Sequence, residues 1–185
     1  MKNFWHENGK LIGKLILNQF GATFLGIMIL MAAFAATSQK DWLTLFASIF
    51  ATVFYLFLIY NVVWERGAQD RIRVDAGRKE KKLLTGLWVS LVANIPNFIF
   101  GMLVVVSEPF RATTAWGQPT NTIGRALCLL WHSMYAGIAA HYSPNNPIIH
   151  VLDILPAVAV ATGAYLLGHA NCRLLQPFDS RETKK

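Results

Sequence analysis

Charge is what this chain is short of: only 15% of its 185 residues are Asp, Glu, Lys or Arg, against about 25% in soluble domains. That deficit, with a positive mean hydropathy, excludes an ordinary soluble domain and points to lipid. Cysteine is scarce as well. The two present, Cys128 and Cys172, have no metal-type spacing and read as packing residues. A glycine-rich phosphate loop is missing, and no Ser/His/Asp or Cys/His nucleophile arrangement stands out. These absences leave no catalytic group, cofactor or metal to assign from the sequence.

Long apolar runs are what the chain has instead. At about 1.5 Å per residue, roughly 20 apolar residues span a ~30 Å hydrocarbon core. Windows 11–37, 42–64 and 83–106 meet that requirement. A fourth, 148–168, is apolar apart from His150 and Asp153, and runs on to about residue 170. One polytopic transmembrane domain over 1–185 is expected. Ala33-Phe34-Ala35 matches a signal-cleavage pattern, but the apolar stretch before it is too long for a signal core, so a retained span is expected. The net charge of +7 is spread along the flanks of the runs rather than gathered on one face, which argues against nucleic acid as a partner.

The charges orient the spans. Arg66, Arg71, Arg73, Arg78, Lys79, Lys81 and Lys82 fill the loop 65–82, which the positive-inside bias makes cytoplasmic. The open question is residues 125–140. If they cross, 10 cationic side chains lie inside and 7 outside; if they do not, 14 lie inside and 3 outside. The second count wins, and sixteen residues reach only about 24 Å at helical rise. On a helical wheel Leu127, Leu130, Trp131, Met134 and Ile138 oppose Arg125, His132, Ser133, Ala136 and Ala140. The expected fold is therefore an all-α membrane protein. It has four transmembrane helices and one short outer-face amphipathic or re-entrant helix, with both termini cytoplasmic.

Asp153 is the costliest residue in this scheme, since a carboxylate in a span costs on the order of a few kcal/mol unless paired or hydrated. His150 shares its helix face, and His132, His141 and Glu108 fall in the same outer region. Such a group could form an ion or substrate pathway; the plainer alternative is a salt bridge from Asp153 to Arg125 or Arg111. HxxD by itself is not a metal motif. A second candidate is Asn94 and Asn97 around Pro96, where a broken helix could bind substrate or simply kink. In the loop, Ile72 and Val74 alternate with Arg71 and Arg73, so QDRIRVDA could form a short strand or hairpin that docks a partner through Arg71, Arg73 and Asp75; the plainer alternative is a solvated loop whose charge only fixes topology. The functional expectation is a non-enzymatic subunit or accessory component of a transport-linked membrane assembly. The alternative is a small independent transporter or channel using Asp153, His150 and the Pro96 break. Expected partners are membrane lipid and further membrane subunits, another copy of the chain included.

Overall fold

No proline precedes Pro96, and the stretch before it holds the two longest helices. α1 (Lys2–Ala36) and α2 (Asp41–Asp75) are 35 residues each. After Pro96 the elements shorten. α3 (Thr85–Ala93) is followed by α4 (Ile95–Ser107), α5 (Gly117–Trp131), α6 (Ala136–Tyr142), α7 (Ile149–Leu152) and α8 (Ile154–Ala170). This computed structural model describes residues 2–36, 41–143 and 146–172, and among them every regular element is helical. Phe4–Ala33, Trp42–Asp75 and Ile149–Ala170 are long and apolar enough to cross a membrane. α3 and α4 together pass the same requirement, although they meet at 53°. The chain is thus an all-α bundle with three such helices, or four when the bent pair counts as one. Residues 37–40 and the basic tail 173–185, which carry part of the charge count, lie outside the described residues.

The bend follows from local chemistry. Pro96 has no N–H to return to the preceding turn. Asn94, at φ −90° and ψ 5°, closes α3, and its side chain donates to the Ser90 carbonyl at 2.8 Å.

Three expected boundaries are corrected. The first helix starts at Lys2 rather than 11. The second does not end at residue 64, so 65–82 is not one loop: α2 continues to Asp75, and the connection to α3 is confined to 76–84. QDRIRVD, as far as Asp75, is accordingly helix, not strand. Its charges recur at helical spacing, with Arg66 to Asp70 at 3.4 Å and Arg71 to Asp75 at 3.5 Å, and i,i+4 pairs support a helix. Asp70 is the hub of this end. It is 1% exposed and takes Lys79 Nζ at 2.8 Å and the Tyr165 hydroxyl of α8 at 3.0 Å.

The third correction concerns 125–140. The helix begins earlier, at Gly117, and is interrupted over 132–135. α5 runs antiparallel to α4, its buried stripe Gly117, Asn121, Gly124 and Cys128 turned inward and Leu129 and Leu130 outward. At the interruption the backbone is satisfied from two other helices. Thr23 of α1 donates to the Trp131 carbonyl at 2.8 Å, and Ser48 and Thr52 of α2 both donate to the Met134 carbonyl. Ser48 Oγ also accepts the Gly137 N–H at 3.1 Å. α6 then doubles back beside Thr44 and Ser48, toward the start of α2. The hairpin tip fits because Gly26 of α1 has no side chain: a Cβ there would sit 2.8 Å from the Met134 nitrogen.

α2 and α8 approach through glycine on both sides. A Cβ on Gly168 would overlap the Trp64 carbonyl oxygen, and one on Gly67 the Tyr165 carbonyl oxygen. Gly163, five residues and about one and a half turns nearer the start of α8, has nothing within 4 Å. Gly168→Ala should therefore destabilise the protein by about 1–3 kcal/mol through overpacking. Gly163→Ala should be neutral or mildly stabilising, as helix propensity dictates. Thermal unfolding of the two variants in detergent checks the contrast, and equal melting temperatures would contradict this packing.

Candidate functional site

The interruption of α5 creates a cavity of about 230 Å³ between the last turns of α5, the tip of the hairpin and α7. His132, Tyr135, His150 and Asp153 line it, with Arg125 and Cys128. Three of the residues singled out by sequence, Asp153, His150 and His132, therefore share one site. His132 is 3% exposed, yet among the described residues neither of its ring nitrogens has a hydrogen-bond partner, and the buried Tyr135 hydroxyl has none either. Buried polar groups are nearly always paired, so such a concentration marks a place where something else can bind. Cys128 Sγ and one nitrogen each of His132 and His150 lie within 4.8 Å of one another.

The salt bridge from Asp153 to Arg125 or Arg111 does not form. Both arginines go to Glu108 instead, Arg125 at 2.9 Å and Arg111 at 3.8 Å. Arg125 is further fixed by donating from Nε to Asn121 Oδ1 at 2.8 Å. Glu108 also accepts from Asn121 Nδ2 at 2.8 Å, so the guanidinium stands at the cavity wall as half of a closed ion pair. Asp153 itself, partly exposed at the junction of α7 and α8, makes no ion pair among the described residues. His141 is exposed and packs edge-on against Tyr142, 4.8 Å between ring centres.

Asn94 and Asn97 belong to a different and closed arrangement. Asn97 and Gln19 exchange two hydrogen bonds, Gln19 Nε2 to Asn97 Oδ1 at 2.8 Å and Asn97 Nδ2 to Gln19 Oε1 at 3.0 Å. Tyr55 donates to Gln19, the Trp131 indole N–H to Asn97, and Asn97 to Asn94 Oδ1. With their polar atoms so engaged, these residues join α1, α2, α4 and α5 rather than offer groups to a ligand. Arg71, Arg73 and Asp75 lie at the far end of the bundle. From Asp153 to Tyr165, which binds Asp70, is about 18 Å along α8 at helical rise.

Sequence reasoning overlooked Cys128, Tyr135 and Asp70. Cys128 and His132 are four apart on one helix face, the one signal that could have linked them. Asp70 would have emerged from the Arg66, Asp70, Arg73 spacing had 65–75 been read as helix. Comparison with protein-family models, with curated proteins and with solved structures finds no match to this chain.

Because Asp153 lacks a basic partner, Asp153→Asn should leave the melting temperature unchanged or raise it. Removing one member of a buried pair would instead cost about 3–5 kcal/mol. A loss of that size on thermal unfolding would reveal a partner that the described residues do not include.

Proposed function

We propose that this chain is a multi-pass membrane protein that binds a small polar or cationic solute in a cavity open toward the non-cytoplasmic face, as a transport-linked component. In this reading α1, α2, the bent α3–α4 pair and α7–α8 cross the membrane. The α5–α6 hairpin re-enters from outside and returns, and both termini are cytoplasmic. The observation that carries the proposal is the set of unpartnered His132 nitrogens and Tyr135 hydroxyl around one cavity. An intramembrane ionisable group such as Asp153 beside them strengthens it, since such groups are costly and usually tied to a pathway. Interrupted helices at membrane depth are tolerated where they are buried in protein or line a cavity, as 132–135 does.

Topology is tested with the native Cys172, which is exposed beside Trp64 at the end of α8. A membrane-impermeant maleimide should label it only from the cytoplasmic side. Labelling of Cys172 from outside would overturn the arrangement. Solute binding is tested by reconstitution: Asp153→Asn and His132→Gln should each abolish solute-dependent flux while the protein stays folded. Normal flux in both variants would remove the cavity from the function.

A second reading, a subunit docked on another membrane protein or on a further copy of the chain, draws on Ile72. It is 68% exposed on the extension of α2, between Arg71 and Arg73. Changing Arg71 and Arg73 together to Gln leaves five cationic side chains in 66–82 to hold the orientation. Co-purification of the partner in mild detergent should then fall while membrane insertion stays normal. Unaltered association with normal insertion would exclude this surface.

A further inference from the structure

We infer that the cavity is a binding site for a divalent transition-metal ion of borderline softness, with zinc as the type, held by Cys128, His132 and His150. The inference rests on the cavity reading above and names its ligand class.

The donor set argues for the ion. One sulfur and two imidazole nitrogens suit zinc and its neighbours, whereas calcium and magnesium require oxygen ligands. The donor atoms already lie within 4.8 Å of one another. In a tetrahedral site with bonds of about 2.0–2.3 Å they would close to roughly 3.5 Å, a shift of the order of 1 Å that side-chain rotation supplies. Among the described residues His132 has no competing hydrogen bond to give up, because both its nitrogens are buried without a partner there. Cys128 is equally unencumbered: 1% exposed, reduced, and lining the same cavity.

Charge closes the argument. On binding, the Cys128 S–H bond breaks, its proton leaves to solvent through the cavity, and the thiolate bonds to the metal. The two histidines bind as neutral imidazoles, and no electron is transferred. The metal and thiolate together carry one positive charge. Asp153, three residues beyond His150 and lining the same cavity, supplies the second negative charge that makes the loaded site neutral. Neutrality matters because an uncompensated charge in an apolar interior is heavily penalised. Arg125 does not upset the balance, since its guanidinium is already paired with Glu108 at 2.9 Å.

Cobalt(II) is the probe, because a tetrahedral cobalt–thiolate site absorbs in the near ultraviolet and gives intense visible bands. Titration of the purified full-length chain in detergent should saturate at one cobalt per chain, with the thiolate band present and zinc displacing the ion. Magnesium in large excess should not. Cys128→Ser should abolish the thiolate band, and His150→Gln, at a half-buried position, should weaken binding by about 100-fold or more. Asp153→Asn should keep the band and weaken binding by about 10–100-fold, as outer-sphere changes do. Absence of a thiolate band in the wild-type chain overturns the inference. So does equal cobalt affinity in wild type and His150→Gln, a variant that keeps the test open should Cys128→Ser misfold. Solute-dependent flux without any cobalt band would discard the metal and retain the cavity reading. A cobalt band in a chain whose Cys172 labels from outside would retain the metal site and discard the topology.

Discussion

The Met134 carbonyl is the point on which the hairpin turns. Interrupting a helix inside an apolar bundle strands backbone groups, and each unpaired group costs free energy that water is not there to offset. Two hydroxyls of α2, Ser48 and Thr52, converge on this one oxygen, and Ser48 takes the Gly137 N–H in return. On the other flank, the Thr23 hydroxyl donates to the Trp131 carbonyl and the Ser133 hydroxyl donates to the Thr23 carbonyl at 2.7 Å. Without these contacts the interruption at 132–135 would leave main-chain groups unpaired. That interruption sets His132 and Tyr135 at the cavity wall.

The opposite end of the bundle is held by charge rather than by hydroxyls. Asp70 is surrounded by Lys79, Arg66, Arg73 and the Tyr165 hydroxyl, and Lys79 reaches on to Glu7 of α1 at 3.7 Å. One carboxylate thus gathers α2, the 76–84 connection and α8, and reaches α1 through Lys79. A buried charge pair of this kind adds little net stability over an apolar substitute, but breaking it is costly, so it acts chiefly to hold partners in register. The two ends differ in kind. At one, a buried carboxylate gathers cations; at the other, neutral His132 and Tyr135 groups line a cavity beside Asp153.

Much of this was legible in the sequence, and the exceptions share a cause. Hydropathy and length are properties of single segments, so the apolar cores of α1 and α2 and the Pro96 bend could be read directly. The interruption at His132 could not, because WHSMY contains neither proline nor glycine. Its determinants are Thr23, Ser48 and Thr52, roughly 80 to 110 residues away in the chain. The α2 extension was hidden because Arg71-Ile72-Arg73-Val74 alternates as a strand does, while the deciding Arg66–Asp70 spacing is helical. Half of the site was visible for the same reason: His150 and Asp153 are neighbours on one element. Cys128 was not, since its nearness to His150 depends on how α5 and α7 come together against α4.

The reciprocal amide pair of Gln19 and Asn97 has a mechanical consequence. Each amide gives one bond and takes one, so neither helix can slide past the other by part of a turn without breaking both at once. Trp131 and Tyr55 are tied into the same pair, which makes α1, α2, α4 and the lower turn of α5 a single stiff block at that level. Any opening of the cavity would then fall to α6 and α7, on a stationary base. A rocking exchange of two half-bundles, with the site opening first to one side and then to the other, would have to tear that block apart.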